Sequence, residues 1–116
     1  SWMFNTANIT KIDSDIVFNF NKFSNTTTKV DSMFSGCKQL TEMLGTIDLT
    51  ELKSSTFDLK SMFNGCSALT TINLIKLKGI ETFTDTFKNC SNLINIDFEG
   101  EIGNSIDFSS CTKLSK

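Results

Sequence analysis

The stretch Leu59–Leu74, LKSMFNGCSALTTINL, decides the fold. It contains Phe63-x-x-Cys66-x-x-Leu69-x-x-Ile72-x-Leu74. The same spacing returns at Phe87-x-x-Cys90-x-x-Leu93-x-x-Ile96-x-Phe98. Its first half recurs as Phe34-x-x-Cys37-x-x-Leu40 and as Phe108-x-x-Cys111-x-x-Leu114. Self-similarity of this kind identifies a repeat architecture. In such a chain each unit buries its apolar face against its neighbours, so the core is a set of columns. Phe34, Cys37, Leu40, Phe63, Cys66, Leu69, Phe87, Cys90, Leu93, Phe108, Cys111 and Leu114 are the expected spine.

The period changes inside each unit. From Phe to Leu it is three, which predicts a short helical turn with its apolar residues on one face. Asp31 is placed to cap the first such turn. Gly36, Gly65 and Asn89 stand immediately before a Cys, and these residue types tolerate the positive φ that ends a helical turn. Ser110 breaks that pattern. After the Cys the period becomes two, as in Thr70–Leu74 and Ile94–Phe98, which predicts short strands with Ile72 and Leu74 inward. In the Phe34 unit the strand is expected at Thr46–Leu49, with Glu42–Gly45 as an insertion. Stacked strands give a parallel sheet, so the expected class is α/β, a solenoid of four to five repeats in a single domain over residues 1–116.

Upstream, Met3–Asp13 reads as a degenerate first repeat, with Ile12-Asp13 matching Ile72-Asn73. Ile16–Phe23 alternates as a strand does, and Ser24–Lys29 reads as a polar turn. Spacing between successive Phe residues runs 30, 29, 24 and 21 from Phe4 to Phe108, so linking loops vary around a constant frame. The last copy stops at Leu114, before its strand, and the chain is expected to be a piece of a longer protein.

The net charge is −2 with 11 Lys and Arg. These form no run, which argues against a nucleic-acid or membrane-surface binder. No apolar stretch has the ~18 residues of a membrane helix. His is absent, which removes the commonest general base and the commonest zinc ligand. No enzyme, cofactor or metal is therefore expected. The four cysteines hold equivalent places, so their Cβ vectors run parallel and do not aim at one another. They read as a column of buried free thiols. Disulfide pairing and a zinc site are the other readings, although the gaps do not match the close-spaced ligand pairs of structural zinc motifs.

The spacing, with Met-Phe-Ser-Gly-Cys and Met-Phe-Asn-Gly-Cys as local signatures, resembles the BspA-like leucine-rich repeats, also called the Treponema pallidum type. The resemblance covers Val30–Leu114 and, more weakly, Met3–Asp13. It implies an arc with parallel strands on its concave side and no catalytic residues. The family occurs in surface proteins, several of them adhesins that bind host matrix proteins or neighbouring cells. The Pro that often follows the strand in that family is absent here, and the repeat lengths are uneven.

The expected function is a protein-binding module of a cell-surface or secreted protein. The alternative is a spacer or intracellular scaffold with no ligand of its own. The expected binding surface is a polar column on the exposed sheet face, Asp13, Asp48, Asn73 and Asp97, flanked by Thr46, Thr71 and Asn95. Three carboxylates about 5 Å apart repel unless a cation compensates them, so a basic protein patch or a weakly held divalent cation is the partner that column suggests. A solvated sheet face is polar in any case.

Overall fold

A computed structural model of the chain describes residues 8–20, 31–53 and 55–114. Seven strands follow in order: β1 (Lys11–Ile12), β2 (Val17–Asn19), β3 (Glu42–Asp48), β4 (Phe57–Asp58), β5 (Thr71–Lys76), β6 (Glu81–Thr82) and β7 (Asn95–Glu99). The main sheet is ordered β1-β3-β5-β7, with β2 also pairing to β3, and every pairing is parallel. A small second sheet pairs β4 with β6, also in parallel. The degenerate first unit is described only from Asn8 onward. Phe4, Ala7, the end of the Ile16–Phe23 segment, the 24–29 turn and Val30 lie outside the described residues.

The parallel sheet matches expectation; the helical turns do not. Among the described residues there is no helix. The three-residue period has another origin. Cys66 N donates to Phe63 O (3.0 Å) and Leu69 N to Cys66 O (3.2 Å), two turns in succession, each closed over three residues. The same pair of bonds recurs at Phe34, Phe87 and Phe108. In the Phe34 and Phe63 turns alternate amides donate sideways instead. Phe34 N bonds Met62 O at 2.9 Å and Gly36 N bonds Asn64 O at 2.8 Å, while Phe63 N bonds Thr86 O at 3.0 Å and Gly65 N bonds Lys88 O at 2.9 Å. Those amides are unavailable to a carbonyl four residues back, so no helix can propagate.

Backbone torsion reinforces this. Gly36, Gly65 and Asn89 have φ of 73°, 81° and 64°, as expected from their place before Cys. Ser32, Ser61 and Asp85, each two residues before the Phe, also have positive φ, near 55°. Two left-handed residues within five interrupt any right-handed run. Asp31 therefore caps no helix, and its buried Oδ1 has no hydrogen-bond partner among the described residues.

The strand of the Phe34 unit also corrects the expectation. Met43 pairs with Ile72, so β3 begins at Glu42 and no insertion precedes it. Leu40 to Met43 spans three residues, as does Leu69 to Ile72. The irregularity is a bulge inside the sheet: Leu44 and Gly45 of β3 face the single residue Asn73 of β5. Gly45 is obligatory there, because a Cβ would stand 2.5 Å from Ile16 O. In β5, Ile75 takes the inward place expected of Leu74.

The inner rows are Ile12–Met43–Ile72–Ile96 and Phe18–Ile47–Ile75–Phe98. Behind them stand the expected columns. Phe34, Phe63 and Phe87 are buried and stack at 5.3 and 6.1 Å with rings within 8° of parallel. Phe108 continues the stack at 5.3 Å. All four cysteines are free and buried. Each of the last three thiols donates to the Phe carbonyl of the preceding unit: Cys66 to Phe34 O at 3.1 Å, Cys90 to Phe63 O at 3.1 Å, Cys111 to Phe87 O at 3.6 Å. That carbonyl also receives the turn amide of its own unit, so both of its lone pairs are used. Cysteine fits the place because it fills like a small apolar residue yet carries a donor. Thr86, in the column of Met33 and Met62, is buried with its hydroxyl donating to Leu59 O at 2.7 Å.

Candidate outer-face binding site

The main sheet turns one face to the core and the other outward. Its outward side chains are fixed by register. One row runs Lys11–Glu42–Thr71–Asn95, with Lys11 Nζ 3.8 Å from Glu42 Oε1. A second runs Val17–Thr46–Leu74. A third runs Asn19–Asp48–Lys76–Glu99, with Lys76 Nζ 3.8 Å from Glu99 Oε1. Between the first two, Leu44 and Asn73 meet at the bulge, and Asn73 Nδ2 donates to Leu44 O at 3.0 Å.

Thr46, Thr71, Asn73, Asn95 and Asp97 all lie on strands of this sheet, and Asp13 lies just beyond β1. The acidic column does not form. Asp48 lies between Asn19 and Lys76, not between Asp13 and Asn73. The residue that follows the inward position in β3 is Leu44, because Met43, not Ile47, holds that position. Asp13 and Asp97 thus have two whole strands, β3 and β5, between them. Asp48 Oδ1 also accepts from Thr50, 2.7 Å from Oγ1 and 3.0 Å from N. Charges on this face are spread and largely paired, and exposed pairs of this length contribute about 0–1 kcal/mol each.

Val17, Leu44 and Leu74 were not among the residues expected to form the surface. Val17 is 57% exposed, and Leu44 and Leu74 are half-buried on the outward side. With the methyl of Thr46 they make an apolar row bounded on both sides by charged rows. The signal available was the Asn73-Leu74-Ile75 run, where one apolar residue too many for a period of two requires a bulge.

Two clefts are found among the described residues. One, about 330 Å³, is lined by Ile9, Lys11, Ile12, Asp13, Ile16 and Phe18 at the β1 and β2 edge. The other, about 190 Å³, is polar and lined by Asp85, Lys88, Asp107, Ser109 and Ser110. Asp107 accepts from Ser109, whose N lies 2.8 Å from Oδ1. Those bonds from the Ser109 hydroxyl and amide hold its carboxyl below the usual range, which makes it a weak base. Among the described residues no three His, Cys, Asp or Glu side chains converge as a metal site. Nor is there a helix long and apolar enough to cross a membrane.

The thiol column is chemically quiet. Burial, and then the neighbouring Cys90 and Cys37, push the Cys66 thiol well up. Burial, and then Cys111, push Cys90 up to about 12. Cys111 is raised too, by burial and then by Asp107. A thiol held protonated is a poor nucleophile and a poor metal ligand. Compared with known proteins, the chain matches no family model, no curated protein and no solved structure.

Proposed function

We propose that the chain is a leucine-rich-repeat solenoid similar to the BspA-like type, and that it binds protein through the outer face of its main sheet. One observation carries the reading: the apolar row Val17–Thr46–Leu74 with Leu44, framed by the charged rows of Lys11 and Glu42 and of Lys76 and Glu99. An apolar centre within a polar rim is the anatomy of a protein interface. The side chains stand on hydrogen-bonded strands, so little ordering entropy is lost on binding. A cell-surface or secreted protein, with a host matrix protein or another surface protein as partner, is the setting that the family resemblance suggests. The reading assigns no catalytic role.

The test is surface plasmon resonance against immobilised extracellular-matrix proteins, comparing the native chain with Leu74→Lys. Saturable binding by the native chain, lost in a variant whose circular dichroism is native, is the expected result. Equal binding by Leu74→Lys removes the outer face from the site. No binding to any member of the panel leaves the spacer reading in its place.

A further inference from the structure

Neighbouring turns are not joined alike. The amides of Ser32, Phe34 and Gly36 donate to Lys60 O, Met62 O and Asn64 O at 2.9, 2.9 and 2.8 Å. Those of Ser61, Phe63 and Gly65 donate to Thr84 O, Thr86 O and Lys88 O at 2.9, 3.0 and 2.9 Å. The equivalent amides of the next turn belong to Asp85, Phe87 and Asn89. None of the three has an acceptor among the described residues. Asp85 and Asn89 are exposed to water, but Phe87 is only 1% exposed. A buried amide without an acceptor is costly and rare in a native fold.

The cause is the sequence of the Phe108 turn. Asp107 stands where Met33, Met62 and Thr86 are buried in the other turns, and it is exposed. Its Oδ1 accepts from Ser109 N at 2.8 Å, which folds the turn back on itself. Ile106 and Ser110 hold the two places that are left-handed in the other three turns, and neither is left-handed here. A β-branched residue such as Ile adopts that backbone only under strain. The carbonyls of Ser105, Asp107 and Ser109 thus receive none of the three amides. Beneath the turns the two units stay closed. Phe87 and Phe108 stack at 5.3 Å, the same separation as Phe34 and Phe63. The opening is a polar cleft of about 190 Å³ lined by Asp85, Lys88, Asp107, Ser109 and Ser110.

We propose that this cleft binds a phosphate group. Three amides carried by one turn are the donors of an oxyanion site. Lys88 adds a positive charge and Ser110 a hydroxyl. Asp107 offers little opposition, because its carboxylate already accepts from the amide and hydroxyl of Ser109. Asp85 chooses between anions. At mildly acidic pH phosphate keeps a proton that it can donate to the Asp85 carboxylate, whereas sulfate keeps none and meets only like charge. The cleft is complete within the two turns that form it, and it is separate from the outer face of the main sheet. Free phosphate and a phosphate monoester share this chemistry.

Titration of the isotope-labelled chain with inorganic phosphate, followed through its amide resonances, tests this. Sulfate and chloride at matched ionic strength are the comparison anions. The amides of Asp85, Phe87 and Asn89 are expected to shift along one saturating curve. Those of Ser61, Phe63 and Gly65, already bonded, are expected to stay in place. At mildly acidic pH phosphate binds several-fold more tightly than sulfate. Lys88→Gln, a change at an exposed side chain, weakens phosphate about threefold. Ile106→Ser with Ser110→Gly gives this turn the residues of the Phe63 turn and removes the response. Circular dichroism checks that this variant is folded, and if it is not, Lys88→Gln decides alone. O-phosphoserine separates the sources: a curve as tight as that of phosphate assigns the cleft to monoesters, a weaker one to the free ion. Leu74→Lys, on the outer face, leaves the shifts unchanged, so failure here and failure of the binding reading are separable. The proposal is overturned by shifts at the three amides that never saturate, or by equal shifts with chloride. Phosphate binding unchanged in Lys88→Gln overturns it equally.

Discussion

Phe63→Ala probes the stack at its centre. The ring has no exposed surface and lies between Phe34 at 5.3 Å and Phe87 at 6.1 Å, nearly parallel to both. Truncating a buried Phe to Ala costs roughly 3–5 kcal/mol, including the cavity left behind. The two lost ring contacts place this site at the upper end, since such a pair contributes about 0.5–1.5 kcal/mol beyond area. Native domains hold only about 5–15 kcal/mol in total. For a chain of this size about 4 °C of melting temperature corresponds to 1 kcal/mol, so a fall of roughly 12–20 °C is expected. Phe108→Ala is the internal control. Its ring is half-exposed and, among the described residues, stacks on Phe87 alone, so its loss is expected to stay below about 2 kcal/mol. Urea denaturation followed by circular dichroism gives both values as midpoint shifts at constant slope. If Phe63→Ala costs less than about 1 kcal/mol, or no more than Phe108→Ala, the claim that each unit shields the next is wrong.

Alkali is the second perturbation. A thiol of ordinary value 9.0 that titrates at about 12 in the fold, as Cys90 does, loses its proton first in the unfolded chain. Stability is therefore full below pH 9 and falls as pH climbs from 9 toward 12, by on the order of 1 kcal/mol per pH unit for each such thiol. Urea midpoints across that window should decline, and should decline less steeply in Cys90→Ala; a midpoint flat to the top of the range contradicts the burial of the column. Glu81→Ala is the third. The buried Glu81 carboxylate accepts the amides of Lys78 (2.7 Å) and Gly79 (2.9 Å), and stranding those donors should cost about 1–3 kcal/mol. Hydrogen exchange should show faster exchange at Lys78 and Gly79, and unchanged rates there would mean that the carboxylate holds nothing.

Much of the fold was legible because the packing is written at fixed intervals. The intervals from Phe to Cys and from Cys to Leu are the lengths of two hydrogen-bonded turns, so the spine could be named without coordinates. The same interval also fits the first turn of a helix, which is why helical turns were expected. The deciding signal was the second left-handed residue of each turn. Ser32, Ser61 and Asp85 occupy it, and Ser does not announce positive φ as Gly does. Ile12 was correctly matched with Ile72, since both are β-branched residues followed by a polar one. Met43 was not, because an unbranched residue carries little strand signal. The small β4–β6 sheet was missed because two-residue strands are too short to show alternation.

The candidate surface was less legible, for a reason specific to sheets. Which residues face outward survives small errors in alignment between units, but which of them are neighbours does not. Treating Ile47 rather than Met43 as the partner of Ile72 moved Asp48 along the sheet into a column with Asn73. In the fold Asp48 pairs with Lys76, and Leu44 holds the place assigned to it. That displacement changes the physical character of the face. Three stacked carboxylates would have selected a partner by charge and bound it more weakly in salt. The observed rows set Lys11 beside Glu42 and Lys76 beside Glu99, which spends most of the charge within the face itself. What remains to discriminate between partners is the shape of the row Val17–Thr46–Leu74 and the desolvation of whatever meets it. On the proposed reading, affinity at this face should follow the aliphatic area of the partner and respond weakly to ionic strength.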